Sequence, residues 1–432
     1  MVKLDITIQL ETPLLLGAQK QGTVSETMTF LPGAMLRGGI GRMLAQQCSH
    51  DLRSHNNCDF AAIFNEKSQP RFGPCYPAIS NFSAPFPATA RQCKHYPGFK
   101  NQYDEAHGIH DALIPLFAFE EASQYGSMDI YEPDCKDSNC NSKLESVSGF
   151  YEPIGHSYWQ PHPHVMRLSR TAVNRRRRVA ADELLYTLEM LSEQMGGLPG
   201  RSGQTHSVPT RLRGNIWAAN EAQAALLETL LPQVKQLGGA VSRGLGMVKV
   251  SVERSIDSLI HEPGDAASQL CDAAKRLDFD IQFPIGSLTY RIARFNKAII
   301  EKLQESGIPN CLRPGMLYFC IDCISDVIWP NGGLPTVTLP EWFAGARRVR
   351  RFIQPRRLSG FSGTTGMMRT PQLAVGRGSV FLYCLDSPTP EAISYALATL
   401  QAAENEGLGR DKERGQGLIK ICSPFHLEVK PK

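Results

Sequence analysis

The chain opens on VKLDITIQL (2–10), where apolar and polar residues alternate, the period of a strand with one buried face. LPGAMLRGGIGRMLAQQC then changes period. Pro32 and Gly33 punctuate it, and Leu36, Ile40, Met43 and Leu44 recur at helical spacing. NEAQAALLETLLPQVKQL (220–237) predicts a helix capped by Asn220, with Glu221 in its first turn and a stripe of Leu226, Leu227, Leu230 and Val234. MVKVSVERS alternates again as a strand. TPEAISYALATLQAAENEG (389–407) predicts a second helix, with Pro390 near its first turn and Gly407 as its stop. DELLYTLEMLSEQM (182–195) fits a helix or a strand alike, because its period does not separate the two. RLDFDIQFPIGS begins a strand pattern over 277–283, and LYFCIDCISDVI reads as an apolar strand with Cys320 and Cys323 as buried thiols.

Residues 48–165 carry no sustained period and are rich in Pro, Cys, His, Asn and aromatics, so they read as a long insertion of loops and short strands. HEPGDAAS marks a turn-rich linker within 256–276. Both halves of the chain close on the same succession of long helix, glycine–arginine loop and strand, through LGGAVSRGLGMVKV and GLGRDKERGQGLIKICS. Both also open on a strand pattern, at 4–10 and 277–283. The expected fold is therefore α+β, a tandem pair of ferredoxin-like modules. The first spans 1–255 and carries the 48–165 insertion, the linker is 256–276, and the second spans 277–432.

Length agrees, since 432 residues exceed one ordinary domain. No apolar run reaches the roughly 18 residues of a membrane span, and the alternating start is not a signal peptide. The expectation is a cytoplasmic protein with no membrane partner. Twelve cysteines then read as thiols or metal ligands rather than disulfides. The net charge of +4 decides little, but arginine is gathered into RLSRTAVNRRRR (167–178) and RRVRRFIQPRR (347–357). Such blocks suit a polyanion, with a solvated face as the plainer alternative. Phe352 and Phe361 flank the second block. Core packing is their first expected role and base stacking the second.

A loop such as GGAVSRGLG can present successive backbone N–H groups to an anion while arginine supplies charge. Both loops follow a helix and open a strand, and the chain has neither GxxxxGK[ST] nor strand–GxGxxG–helix. P-loop ATPases and Rossmann enzymes are thereby set aside. A tight chain reversal with no ligand is the competing reading of each loop.

These segments resemble the CRISPR-associated RAMP superfamily. GGAVSRGLGMVKV and GLGRDKERGQGLIK look like its C-terminal glycine-rich loops, and FLPGAMLRGGIGRML (30–44) like its motif after the first strand. RTAVNRRRRVAADELLYTLEML (170–191) resembles its Arg-Thr-x-(Ile/Val)-Asn-Arg stretch leading into a Leu-Tyr-x-x-Glu strand. With RFGPCYPAISNFSAPFPATARQC and the cysteine-bearing insertion, the chain resembles the large two-RAMP, handle-capping subunit of type III-D effector complexes. The resemblance implies RRM-like folds in a ribonucleoprotein. It implies CRISPR RNA as direct partner, held at its repeat-derived 5′ handle, with target RNA met indirectly. The protein partners it implies are other RAMP subunits and the large polymerase-like subunit, in antiviral defence.

Carried over by motif, Gly33, Arg37, Gly38 and Gly39 would face RNA phosphate, as would Arg243, Gly244, Gly246, Arg410, Arg414, Gly415 and Gly417. Arg170, Asn174, Arg175, Arg176, Arg177 and Arg178 would contact RNA or a neighbouring subunit.

The resemblance also raises catalysis. Backbone subunits of the superfamily cleave target RNA with an aspartate before the Pro-Gly motif, but GAQKQGTVSETMTFLPG offers only Glu26. Other members process precursor RNA with a histidine, and His50 and His55 follow the first helix here. The expectation is no nuclease activity. An endoribonuclease and a subunit acting mainly through protein contacts stand as alternatives.

Within the insertion, Cys93, His107, His110, Cys135 and Cys140 are the types that hold zinc. The candidate set is Cys93, Cys135 and Cys140 with His107 or His110, as a structural staple for a poorly packed segment. Unconnected thiols are the alternative, and no catalytic cofactor is expected.

Overall fold

Alternation over the first residues becomes the centre of a sheet. A computed structural model of the chain describes all residues except 22–23, 49–57, 65–67, 103–104, 127–133, 136, 138–139, 141, 156, 175, 177–178, 200–204, 256–261, 363–365 and 430–432. In it Val2–Leu10 is a strand whose Leu4, Ile6 and Ile8 are fully buried. Arg211–Ala218 and Val248–Arg254 pair with it antiparallel on either side. Arg71–Phe72 and Tyr76–Ala78 pair with the outer edge of Arg211–Ala218. Helices Gly33–Gln47 and Glu221–Leu230 bury Leu36, Ile40, Leu44, Leu227 and Leu230 in the core that holds Leu4, Ile6 and Ile8. Asn220 caps the second helix, accepting from the Gln223 N–H at 2.9 Å. That helix stops at Leu230 rather than running to 237, and Leu231–Gln233 tightens into a 3-10 turn around Pro232, which has no N–H to donate.

The ambiguous 182–195 stretch lies within a 21-residue strand, Val179–Pro199, paired with Pro163–Asn174. Cross-strand partners decide the matter: Arg167 reaches Glu189 at 2.9 Å and the Ser169 and Thr187 hydroxyls lie 2.9 Å apart.

Backbone contacts divide the chain into two compact units. One comprises Met1–Ala84, Phe150–Asp257 and Glu413–Gly415; the other comprises Pro85–Gly149, Ser258–Lys412 and Gln416–Lys432. Pro85–Gly149, which the sequence reading attaches to the first half, therefore groups with the second. Buried side chains anchor it there: Leu113 and Phe117 of helix Leu113–Ser123 join the core of the second unit.

That unit is built on a sheet ordered Trp342–Phe343, Ala346–Phe352, Val380–Asp386, Met316–Cys323, Ile419–Ile421. Phe319, Ile321, Phe381 and Tyr383 are almost wholly buried in it, as are the thiols of Cys320 and Cys323, which burial pushes well above the ordinary range. Helix Pro390–Glu406 starts where expected, with the Thr389 hydroxyl accepting from the Ala392 N–H at 3.3 Å. It stops at Gly407, whose φ is +76°.

Two expectations fail here. Residues 277–283 form no strand; the opening strand is Met316–Cys323. Phe279 and Phe283 are buried, but the backbone between them has no paired neighbour in a sheet. Alternation reports which side chains go inside, not whether another strand lies alongside. The linker also holds a helix, Ala266–Arg276, which buries Leu270, Ala273 and Ala274. A further helix, Leu288–Glu305, buries Ile292, Phe295, Ile299 and Leu303 at helical spacing behind a Ser287 cap on the Tyr290 N–H.

No helix among the described residues is long and apolar enough to cross a membrane. The architecture is mixed α+β throughout.

Candidate nucleic-acid interface

The two glycine–arginine loops have the same backbone. Leu237 N–H donates to the Gly246 carbonyl at 2.9 Å, and Leu408 N–H to the Gly417 carbonyl at 2.8 Å. Gly246 and Gly417 N–H each reach back at 2.9 Å to the carbonyl of a residue just beyond the unit's opening strand, Pro13 and Asp326. Ala240 and Asp411 hold left-handed φ of +54° and +57°. A 3-10 turn follows in each, Val241–Arg243 and Lys412–Arg414. Gly244 and Gly415 close it at φ +81° and +86°. Arg243 therefore matches Arg414 by position, while Arg410 matches Gly239.

Several of these glycines have a packing reason to be bare. A Cβ on Gly246 would be driven into the Leu237 carbonyl oxygen, and one on Gly417 into that of Leu408. A Cβ on Gly33 or Gly415 would strike the Phe72 carbonyl oxygen, and one on Gly39 would lie 2.6 Å from Leu237 Cδ2. Only Gly38 and Gly244 of the carried-over set have open space where a Cβ would stand. Gly417→Ala is expected to cost more than about 2 kcal/mol, from its left-handed φ plus the carbonyl clash. Gly244→Ala should cost about 1 to 2 kcal/mol, from φ alone. Urea denaturation of the two variants checks the order.

The arginines divide by environment. Arg37 is half-buried, its guanidinium 4.6 Å over the Phe64 ring and donating to Gln69 Oε1 at 2.7 Å. Arg414 is half-buried beside Glu413 at 3.2 Å. Arg410 and Arg176 are exposed. Arg243 is exposed and donates to the Tyr186 hydroxyl at 3.1 Å. Arg170 sits directly opposite Tyr186 in the Pro163–Asn174 and Val179–Pro199 ladder. Loop and hairpin thus bring Arg170 and Arg243 to one aromatic ring. Tyr186 was not among the expected residues. The signal that could have found it is its place in the Leu-Tyr-x-x-Glu strand, once that segment is read as extended.

Arg175, Arg177 and Arg178 lie outside the described residues, as does the side chain of Asn174. So do His50 and His55. Glu26 is half-buried on strand Val24–Thr27. In the second arginine block, Arg348 bonds the Thr338 hydroxyl at 3.0 Å and Arg350 pairs with Glu120, while Arg347, Arg351, Arg356 and Arg357 are exposed. Phe352 packs against the core; the Phe361 side chain lies outside the described residues.

The cysteine cluster also assembles, within the second unit. Donor atoms of Cys93, His107, Cys135 and Cys140 all lie within 4.8 Å of one another. The two sulfurs of Cys93 and Cys140 are 3.7 Å apart, and His107 Nδ1 is 3.1 Å from Cys135 Sγ. Bonds of 2.0–2.3 Å at tetrahedral angles put zinc ligands roughly 3.3 to 3.8 Å apart, so the four donors fit a metal. His110 is not in this group; it lies on strand Ile109–Asp111, opposite Arg91. Tyr96 stacks on the His107 ring at 4.4 Å and fixes its plane. Burial would raise the Cys93 thiol, but N–H groups of Tyr96 and His95, with Cys140 and Ser142, hold it below its ordinary value. Burial and the sulfurs of Cys93 and Cys140 push Cys135 up to about 11.

No family model and no curated protein matches the chain. Among solved structures it is similar to a chain of the type III-B Cmr-beta complex bound to cognate target RNA and AMPPnP, at 11% identity over 88% of this chain and 86% of that one, with a TM-score of 0.40. It is also similar to a chain of the Csm3–Csm4 subcomplex of the type III-A CRISPR-Cas interference complex, at 10% identity over 88% and 92%, with a TM-score of 0.34. Scores this low lie beneath those of chains sharing a fold, and the interface rests on the residues above.

Proposed function

We propose that the chain is an RNA-binding subunit of a type III CRISPR effector complex, of the III-D kind, built on two ferredoxin-like RAMP modules. It holds the repeat-derived 5′ handle of the guide RNA beside neighbouring RAMP and polymerase-like subunits, and it cuts nothing itself. The observation that carries the reading is the meeting of half-buried Arg170 and Tyr186 with exposed Arg243. A single strand needs cations at its phosphates and a ring on which a base can stack, and these three residues offer both. The strand order of the first unit supports the fold: taken in chain sequence, its sheet runs fourth, first, third, second, with a helix after the first and third strands. The second unit repeats that strand order and the closing loop, but no helix follows its opening strand; two helices precede that strand instead.

The packing of Gly246 and Gly417 against carbonyl oxygens favours a second reading, in which the loops only reverse the chain and the subunit works through protein contacts. Footprinting separates the two. Labelled repeat RNA incubated with the full chain and a divalent metal should stay whole and be protected over the handle. A scrambled handle protected equally well would support the second reading; strand scission would replace both with a nuclease.

We also propose a structural zinc at Cys93, His107, Cys135 and Cys140. Cys140→Ser is expected to lose that metal, measured by elemental analysis, and to open the segment between Cys93 and Cys140 to protease.

A further inference from the structure

A second group of donors lies in the core of the second unit, independent of the RNA reading. The sulfur of Cys320, a carboxylate oxygen of Asp322 and a ring nitrogen of His426 all lie within 4.8 Å of one another. Cys320 and Asp322 project from the sheet strand Met316–Cys323; His426 lies on the short helix Phe425–Glu428 that follows the last strand. We propose that these three residues form a buried divalent-metal site, with zinc as the natural occupant.

Four observations support it. First, the spacing fits. His426 Nε2 is 2.8 Å from Asp322 Oδ1, and Cys320 Sγ is 3.6 Å from Asp322 Oδ2. Edges of a zinc tetrahedron are roughly 3.3 Å between nitrogen and oxygen and roughly 3.5 Å between sulfur and oxygen. A few tenths of an ångström of ring movement admits the ion.

Second, His426 has the partner that a metal-bound imidazole uses. Its Nδ1 lies at ion-pair distance, 3.0 Å, from Asp111 Oδ2, and a small rotation of the ring would align that contact and leave Nε2 for the metal. Asp111 is itself fixed by the Thr89 hydroxyl and by the Leu113 N–H at 2.9 Å. Third, a further thiol lies beside Cys320, outside the three-donor group. Cys422 interacts with the Cys320 thiol, and its N–H donates to the Cys320 carbonyl at 3.0 Å.

Fourth, the site is dry. The side chains of His426, Asp111 and Asp322 are 0%, 1% and 8% exposed. Two buried carboxylates face one imidazole. Metal entry displaces a proton from Nε2 and one from the Cys320 sulfur, so a 2+ ion replaces two protons and the net charge is unchanged. It would tie together the strand, the C-terminal helix and the Pro85–Gly149 segment, which meet at this point in one unit.

The competing state is a metal-free imidazolium clamped between Asp111 and Asp322. Elemental analysis decides between them, using full chain purified from zinc-supplemented cells and dialysed against weak chelator. The expected zinc content is about two per chain, with one kept by a Cys93→Ser, Cys140→Ser variant. Cobalt reconstitution of that variant should give a thiolate-to-cobalt band, lost on adding Cys320→Ala. Circular dichroism of each variant controls for folding. Should Cys320→Ala misfold, the zinc count of the variant with native Cys320 still decides. Less than half a zinc in that variant, with no cobalt band, would overturn the site and leave the imidazolium clamp.

Discussion

Arg291→Ala is expected to destabilise the second unit by about 3–5 kcal/mol, the cost of leaving a buried carboxylate without its cation. Arg291 and Glu404 meet fork to fork, Nη1 to Oε1 and Nη2 to Oε2 each at 2.7 Å, with side chains 8% and 10% exposed. Glu404 also accepts from the Ile421 N–H at 2.6 Å, and Arg291 donates to the Ile421 carbonyl. Glu404 stands just before the second loop and Ile421 just after it, so the pair clamps both ends of the turn that carries Arg410 and Arg414.

Burial alone would raise the Glu404 carboxyl, but Arg291, Lys420 and the Ile421 N–H hold it below the ordinary range. The sign follows. A carboxyl depressed in the folded state adds stability in full above its unfolded value, about 4.3, and loses it as pH falls through the folded value. Wild type should therefore lose urea resistance below about pH 4, and Glu404→Gln should lose less over that range. Arg291→Met with Glu404→Leu should recover most of the stability that either single loss removes. Destabilisation of the double variant equal to the sum of the two single losses would show that the pair does not act as a unit.

Much of this framework was legible in the chain. Leu4, Ile6 and Ile8 gave the first strand, Asn220 capped its helix, and of the two histidines offered beside Cys93, Cys135 and Cys140 the fold brings His107 to the sulfurs. The misses have physical causes. Phe279 and Phe283 alternate because both plug a core, not because the chain between them is paired. Ser287 ahead of Ile292, Phe295, Ile299 and Leu303 is a capped helix hidden inside an expected strand module. Asp111, Asp322 and His426 could not be joined by spacing, since His426 stands 315 and 104 positions beyond the two carboxylates that only the fold brings to it (426 − 111 and 426 − 322). The glycines were legible as bare backbone, but the reason for bareness at Gly246 and Gly417 is a carbonyl oxygen of the chain itself.

The second large effect concerns the interface. Arg170→Ala with Arg243→Ala should weaken binding of handle-bearing RNA roughly 100-fold, taking each charge-assisted contact as at least about 1.5 kcal/mol. Tyr186→Ala should cost about 1–3 kcal/mol through lost stacking. The two changes differ in kind. Removing cations changes how binding responds to salt, whereas removing a ring does not. Arg37→Ala serves as a comparison, because its guanidinium is already engaged by Phe64 and Gln69.

The most direct measurement is the slope of log affinity against log salt for handle RNA, taken for wild type, Tyr186→Ala and the Arg170→Ala, Arg243→Ala pair. Each phosphate released should flatten the slope by about 0.7, so the arginine pair should flatten it by about 1.4 while Tyr186→Ala keeps the wild-type slope at lower affinity. An arginine pair whose affinity and slope both match wild type would contradict the assignment of this face to RNA.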